Sequence, residues 1–155
     1  MQTTTAGAYH LAAGEGQPMS WFTAAFQLKA SDKQLGAMEL TASPGVEPPM
    51  HMHRHEDEYY YVLEGAVSFH VGAENYRCGV GSFVFLPREM PHTFTIETPT
   101  ARLLLLNAPG GFERMFELAP STPQEAIAAL ARYDVEVVGP HPRQATDQHS
   151  GRVPA

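Results

Sequence analysis

Short hydrophobic segments, separated by turn residues, recur along the chain at intervals close to ten residues. Aromatic and β-branched side chains are frequent in these segments, and such side chains favour strands. Regular short strands with turns between them are typical of an all-β sandwich or barrel. The predicted strands cover residues 21–28, 36–41, 59–63, 66–71, 81–86, 93–96 and 101–106.

The hydrophobic pattern changes after residue 107. An Ala-Pro-Gly-Gly break precedes Phe112 and Phe116, which are one helical turn apart, and this predicts a short helix over residues 112–118. Thr122 and Glu125 have the spacing of a capping box, with proline at the first helical position. They predict a second helix over residues 124–132, followed by a last strand over residues 135–138.

Length and composition indicate one domain. The chain has 155 residues, 43% of them hydrophobic, which is enough for one packed core and too short for two ordinary domains. Its 13 glycines and 13 prolines suit many turns between short strands. We expect an N-terminal extension over residues 1–18 and a single domain over residues 19–138 that includes the C-terminal helices. Residues 139–155, with His141 and His149, are predicted to form a mobile, solvated tail.

Charge and cysteine content narrow the possible partners and compartments. The formal charge of -7 disfavours nucleic-acid binding, which needs a basic patch. We find neither a secretory signal nor an apolar run long enough to span a membrane. The single cysteine, Cys78, has no partner for an internal disulfide, and we interpret it as a small strand residue. These features predict a cytoplasmic protein.

Candidate metal ligands follow strand parity. His51 and His53 alternate, so on one strand they share a face. Glu58 lies an odd number of residues after His51 and therefore needs a turn before it, which the charged residues 54–57 suit as a hairpin connection. In that hairpin Glu58 lies opposite His53. His92 follows the strand predicted over residues 81–86 and a turn with two prolines.

Three imidazoles and one carboxylate suit a divalent first-row transition metal: iron, manganese, nickel, cobalt or copper, with zinc also compatible. Magnesium and calcium fit poorly because they prefer oxygen ligands. Four protein ligands leave two positions of an octahedral shell open for a substrate oxygen and for dioxygen or water, and Glu58 is the candidate catalytic base. His55 and Glu56 are candidates for supporting groups or alternative ligands. The competing interpretation is a polar, solvent-exposed strand face.

Strand parity also predicts the wall of a substrate pocket. Side chains that share the inward face with Glu58 or His92 are expected to be apolar and aromatic, which suits a flat hydrophobic ligand. The interior of any small barrel is filled by similar residues, so simple core packing is the alternative. The predicted pocket residues are Tyr60, Val62, Phe83, Phe85, Phe94, Ile96, Leu103 and Leu105, with Phe22, Met38 and Leu40 as further candidates.

The spacing of these ligands among glycines and prolines resembles the cupin superfamily. Its first motif, G-x5-HxH-x3-4-E-x6-G, is matched from Gly45 to Gly65, and its second, G-x5-P-x-G-x2-H-x3-N, at Gly81, Pro87 and His92. Glu89 stands where the second motif has glycine, and Ile96 where it has asparagine. The resemblance implies a double-stranded β-helix, or jelly-roll, barrel with the metal inside. It also implies that His51, His53, Glu58 and His92 bind the metal.

Residues 49–65 and 105–113 are similar to the single-domain quercetin 2,3-dioxygenase-like bacterial cupins. This resemblance implies a dioxygenase that cleaves a flavonol, or a related aromatic enol, with dioxygen and releases carbon monoxide, with Glu58 as both ligand and base. Two alternatives are a polyketide-type cyclase or isomerase on the same metal, which needs no oxygen, and a non-catalytic small-ligand-binding protein. Exposed edge strands also predict a homodimer.

Overall fold

The computed structural model describes residues 7–145, which form two antiparallel sheets facing each other. The six-stranded sheet has the order β1-β2-β3-β10-β5-β8, and the five-stranded sheet has the order β11-β4-β9-β6-β7. The strands are β1 (Gln17–Trp21), β2 (Ala24–Ser31), β3 (Gly36–Ala42), β4 (Met50–His53), β5 (Asp57–Glu64), β6 (Val67–Val71), β7 (Glu74–Cys78), β8 (Phe83–Leu86), β9 (His92–Ile96), β10 (Ala101–Ala108) and β11 (Val135–Gly139). The prediction of an all-β, jelly-roll barrel is confirmed.

Alternating burial along the strands builds the core. On β10 every second residue is buried, and Leu103 and Leu105 point inward. Leu103 pairs with Val62 of β5 on one side and Leu40 of β3 on the other. Each such leucine removed from water stabilises the fold by about 1.5–3 kcal/mol. The core therefore lies between the two sheets.

Two short helices follow β10 and lead the chain to the other sheet. A 3-10 helix spans Phe112–Leu118, the range predicted for the first helix. Helix α1 spans Pro123–Arg132, and its predicted capping box is present: the Thr122 side chain accepts a hydrogen bond from the Glu125 N–H, and the Glu125 carboxylate accepts one from the Thr122 N–H. The chain then enters β11, which pairs with β4.

The predicted hairpin between His53 and Glu58 is wrong. Strand β4 pairs with β9 and β11, whereas β5 pairs with β8 and β10 in the opposite sheet. Residues 54–56 therefore cross from one sheet to the other instead of turning within a sheet. Glu58 pairs with Leu86 and Asn107, and it faces His53 across the barrel interior.

Two other local predictions differ from the structure. The strand predicted over residues 21–28 is interrupted, because Phe22 adopts a left-handed conformation (φ 51°) between β1 and β2. Strand β7 was not predicted. Four of its five residues are exposed, so no hydrophobic alternation marks it, and only Cys78 is buried.

The segment after β11 packs against the five-stranded sheet. His141 is buried, and its Nε2 lies 3.0 Å from the carbonyl oxygen of Phe94 and 3.3 Å from Oγ1 of Thr95. The prediction of a solvated His141 is therefore wrong, while His149 lies outside the described residues. Within residues 7–145, no helix is long and apolar enough to cross a membrane.

Candidate metal centre

The four predicted ligands lie together at one end of the barrel interior. His51 and His53 come from β4, Glu58 from β5 and His92 from the first position of β9, where it pairs with His51. All four are buried, and one ligand atom from each lies within 4.8 Å of the ligand atoms of the other three. This buried cluster could hold a metal ion.

Each histidine of the cluster is oriented through its Nδ1 atom. When Nδ1–H donates to a fixed oxygen, Nε2 is left unprotonated and available to a metal, which is the usual arrangement of metal-bound histidines. The oxygen acceptors are the Pro49 carbonyl for His51 (2.8 Å), Glu56 Oε1 for His53 (2.7 Å) and the Met90 carbonyl for His92 (2.9 Å).

The atoms at the centre fit a cation. Glu58 Oε2 lies 3.0 Å from Nε2 of His92 and 3.4 Å from Nε2 of His53. The His53 Nε2 atom is buried and has no hydrogen-bond partner among residues 7–145. An unpaired buried polar atom costs about 1–3 kcal/mol, and a metal ion would satisfy this nitrogen. Three imidazoles and a carboxylate are a suitable donor set for a first-row transition metal.

Burial and mutual charge set the protonation of the cluster. Burial, followed by the positive charges of His92 and His53, lowers the pKa of His51 to about 3. Burial on its own raises the pKa of Glu58, but the charge of His53 and the hydrogen bond to His92 outweigh it and lower this pKa to about 2. At neutral pH the metal-free site therefore holds a neutral His51 and an ionised Glu58, both in the form that binds metal.

The two neighbouring candidates have different positions. Glu56 is buried and hydrogen-bonds the Nδ1 of His53. It therefore supports a ligand, which is one of the two roles predicted for it. His55 is exposed, and its Nε2 contacts Oδ2 of Asp134 at 2.9 Å. His55 is thus outside the cluster.

A cavity of about 630 Å³ opens from the cluster into the barrel. This volume is within the usual range for small-molecule sites. Of the predicted pocket residues, Tyr60, Phe94 and Leu105 line it, and so do the further candidates Phe22 and Leu40. The others, Val62, Ile96, Leu103 and Met38, are buried core residues that do not line it.

Phe83 and Phe85 do not line the cavity, so their prediction as pocket residues is wrong. Their side chains are 60% and 48% exposed, because β8 turns Val84 and Leu86 inward. Tyr60 pairs with Val84 and Tyr59 with Phe85, so the two phenylalanines share the outer face of the sheet. Their rings contact the Tyr59 ring there, with centroid distances of 6.2 and 5.1 Å.

Sequence reasoning missed the wall contributed by the C-terminal helices. The Phe112 ring packs edge-on against the His53 ring at a centroid distance of 4.5 Å. The phenylalanines at one-turn spacing were the available signal, but nothing local shows where this helix packs. The additional lining residues are Phe112, Met115 and Phe116 of the 3-10 helix, Ala126, Ile127 and Leu130 of α1, and Trp21 of β1.

A buried carboxylate anchors this wall. Glu113 is fully buried, and its Oε2 accepts hydrogen bonds from Nδ2 of Asn107 at 2.9 Å and from the N–H of Gly111 at 2.7 Å. Its Oε1 accepts a hydrogen bond from the Ser31 hydroxyl. The start of the 3-10 helix is therefore tied to β2 and β10, and this holds Phe112 beside His53.

Comparisons with known proteins agree with this geometry. Residues 38–108 match the family described as "Cupin domain". The prediction of a cupin-type barrel fold is therefore confirmed. The matched residues include all four members of the candidate metal cluster and extend from β3 to β10.

Solved cupin-like structures share the fold at low sequence identity. KdgF from Halomonas sp. superposes with a TM-score of 0.62 and 19% identity, over 68% of this chain and 96% of that chain. Pac13 from Streptomyces, described as a nucleoside dehydratase, superposes with a TM-score of 0.62 and 13% identity, over 89% of this chain and 97% of its own. An RmlC-like cupin from Shewanella frigidimarina superposes with a TM-score of 0.58 and 21% identity, over 66% of this chain and 93% of that chain. No curated protein sequence matches the chain.

The structure explains how the chain tolerates its two departures from the cupin motif. Glu89, where the motif has glycine, adopts a left-handed conformation (φ 62°), and its N–H donates to the carbonyl oxygen of His53 at 2.7 Å. Its side chain is 64% exposed and so meets no close packing. Ile96, where the motif has asparagine, is a buried core residue.

Proposed function

We propose that this chain is a metal-dependent enzyme that binds a flat aromatic enol or phenol, and that its reaction is the cleavage of a flavonol by dioxygen. One observation carries the proposal: a buried cluster of three histidines and a carboxylate opens directly into a cavity with largely apolar, aromatic walls. A metal that has only four protein ligands keeps positions open for substrate, as catalytic metals do.

Glu58 is the proposed base. Its Oε2 faces His53 and His92, whereas its Oε1 makes no hydrogen bond within residues 7–145. Glu58 also lines the cavity. A substrate hydroxyl beside Oε1 can therefore transfer its proton to the carboxylate. When bound, a first-row transition metal supplies Lewis acidity, which lowers the pKa of a coordinated hydroxyl, and a redox-active one also supplies reactivity towards dioxygen.

The walls orient the substrate and exclude water. Phe112 from the 3-10 helix and Phe94 from β9 lie on the cavity surface with Leu105 of β10. Flat aromatic rings fit between such walls, because stacked and edge-on ring contacts add about 0.5–1.5 kcal/mol each beyond simple burial. Dry surroundings also strengthen the interaction between the Glu58 charge and the proton it accepts.

Oxygen consumption with a flavonol tests this function directly. Protein loaded separately with iron, manganese, nickel, cobalt or copper is mixed with quercetin, and dioxygen uptake, quercetin absorbance and released carbon monoxide are measured. We expect one molecule of each gas per flavonol for at least one metal. Glu58→Gln, with its metal content measured, should lose at least about a hundredfold in rate, while the exposed Glu89→Gln should not. The absence of oxygen uptake with every flavonol and metal tested rules the proposal out.

A second candidate is an oxygen-independent reaction, such as a dehydration, cyclisation or isomerisation of an enolisable compound. The similarity to Pac13, described as a nucleoside dehydratase, supports it because that similarity extends over 89% of this chain. Proton transfer by Glu58 would serve such a reaction equally well. Product formation under argon from the same substrate distinguishes it from the dioxygenase. A protein that only binds its ligand would show no turnover under either gas.

A further inference from the structure

Tyr60 places a second polar group in the cavity, apart from the metal cluster. It follows Glu58 by two residues on β5, so both side chains point inward. The Tyr60 side chain is only 5% exposed, and its ring packs against Phe69 and Phe94 at centroid distances of 5.1 and 6.1 Å. These contacts fix the direction of the ring, and the residue lines the cavity.

The Tyr60 hydroxyl makes no hydrogen bond with any other of residues 7–145, and its oxygen is not among the fully buried unpaired atoms, so it borders the cavity. A phenylalanine would fill the same space but would offer no hydrogen bond to a molecule in the cavity. Because the residue lines a cavity, the missing partner can be a molecule bound there. The hydroxyl can both donate and accept a hydrogen bond.

The other polar side chains that line the cavity, outside the metal cluster, are already engaged or lie at its edge. Glu47 accepts hydrogen bonds from the N–H groups of Gly45 (2.6 Å) and Ile96 (3.0 Å). Gln144 is exposed. No lysine or arginine is among the described residues that line the cavity. Away from the metal cluster, the lining therefore disfavours a carboxylate or phosphate group of the ligand, which would be buried there without a counter-charge.

We propose that Tyr60 is a specificity-determining residue, which hydrogen-bonds a second oxygen of an uncharged aromatic substrate. Tyr60 and Glu58 are two residues apart on one face of β5, so this oxygen is a separate one from the hydroxyl held beside Glu58. This inference rests on the proposed function, because it assumes that an aromatic hydroxyl binds at the metal cluster. It adds the requirement for a distal oxygen and for an uncharged distal end of the ligand.

Ligand binding without turnover tests the role of Tyr60. Trp21 is the only tryptophan of the chain and lines the cavity, so its fluorescence reports on an occupied site. Zinc-loaded protein under argon is titrated with quercetin, which carries distal hydroxyls, and with 3-hydroxyflavone, which lacks them. We expect the wild-type protein to bind quercetin roughly threefold to tenfold more tightly. Tyr60→Phe should abolish this preference and leave the affinity for 3-hydroxyflavone unchanged.

The matched control is Tyr61→Phe, the same substitution at the next residue of β5. Tyr61 is 42% exposed on the outer face, so its loss should change neither affinity. A quercetin preference that survives in Tyr60→Phe, or that is missing from the wild type, overturns the role of Tyr60 while the proposed function stands. A wild-type protein that binds neither flavonol overturns the proposed substrate, and the Tyr60 inference with it.

Discussion

The Nδ1–H of His53 donates a hydrogen bond of 2.7 Å to Glu56 Oε1, and both side chains are buried. Nε2 of the same imidazole is the nitrogen that lacks a partner at the centre of the cluster. Glu56 therefore fixes the orientation of a candidate ligand and raises the electron density on its metal-facing nitrogen. This pair predicts that metal affinity depends on a residue outside the ligand set.

We expect Glu56→Ala to weaken metal binding by about 10- to 100-fold, the usual effect of removing a carboxylate that supports a histidine ligand. Glu56→Gln should lose less, because its amide oxygen still accepts the hydrogen bond from His53. Calorimetric titration of metal-free protein with zinc measures both effects. Glu89→Ala, at an exposed carboxylate, is the control. Equal affinities for the Glu56→Ala variant and the wild type would falsify the supporting role.

Metal binding should also stabilise the fold, because the ligands come from both sheets and from three strands. A ligand present at about 100 times its Kd adds about 2.7 kcal/mol. For a protein of this size, that corresponds to an increase in Tm of roughly 5–10 °C. Thermal unfolding with a chelator and with increasing zinc measures it. His92→Ala should greatly reduce the increase, and an undiminished zinc-dependent increase in this variant would show that zinc binds elsewhere.

The metal-free protein should lose stability as the pH falls from about 6.5 to about 3. Burial, followed by the charges of His92 and His53, keeps the pKa of His51 near 3, whereas the unfolded chain protonates this residue near 6.5. In that window the unfolded state binds more protons, so the free energy of unfolding decreases as the pH falls. The pKa of Glu58 is lowered from 4.5 to about 2, so this residue also causes a loss of stability as the pH falls from 4.5 towards 2.

Protonation of His53 stabilises the folded protein, which is opposite to the effect of protonating His51. Burial alone lowers its pKa, but the Glu58 charge and the hydrogen bond to Glu56 outweigh burial and raise it above 6.5. Its contribution to stability is complete below pH 6.5 and is lost as the pH rises through the raised value. Urea unfolding with a chelator between pH 4 and 8 therefore measures a net slope. His51→Gln should reduce the loss in free energy of unfolding on the acid side by on the order of a few kcal/mol. The exposed His55→Gln should leave that loss unchanged. If the free energy of unfolding of His51→Gln falls with decreasing pH as steeply as that of the wild type, the lowered pKa of His51 is not the cause.

Local spacing was sufficient to predict most strands and the clustering of the four candidate ligands. His51 and His53 share a face whatever their strand pairs with, because side-chain parity is a property of the strand itself. The helix that starts after Thr122 was equally predictable, since its capping box involves residues only three positions apart.

Long-range pairing could not be predicted in the same way. The hairpin expected between His53 and Glu58 failed because the charged residues between them suit a turn within a sheet as well as a crossing between sheets. Phe83 and Phe85 were placed inside because parity shows which residues share a face but not which face is inward. The pairing of Tyr60 with Val84 decides that point, and it is a contact between residues far apart in the sequence.

The inward and outward faces of the barrel predict different costs for the same substitution. Phe94 is 7% exposed, so Phe94→Ala should reduce the free energy of unfolding by about 3 kcal/mol. Phe83 is 60% exposed, and Phe83→Ala should cost less than about 1 kcal/mol. Urea unfolding at neutral pH measures both variants. Similar losses would mean that Phe83 is buried in solution, for example against a second copy of the chain.

The buried Glu113 network predicts that Gly36 cannot be replaced by alanine without cost. A Cβ at Gly36 would overlap Oε2 of Glu113 and lie 2.5 Å from Oδ1 of Asn107, and both side chains are fully buried. We expect Gly36→Ala to lower the free energy of unfolding by about 2–3 kcal/mol.

Gly79→Ala is the control for Gly36→Ala, because a Cβ at Gly79 meets nothing within 4 Å. Since Glu113 also holds Phe112 beside His53, Gly36→Ala should weaken the flavonol-induced quenching of Trp21 fluorescence as well. Urea unfolding and fluorescence titration measure the two effects on the same samples. A stable Gly36→Ala protein with unchanged quenching would show that the network yields easily and does not fix the cavity wall.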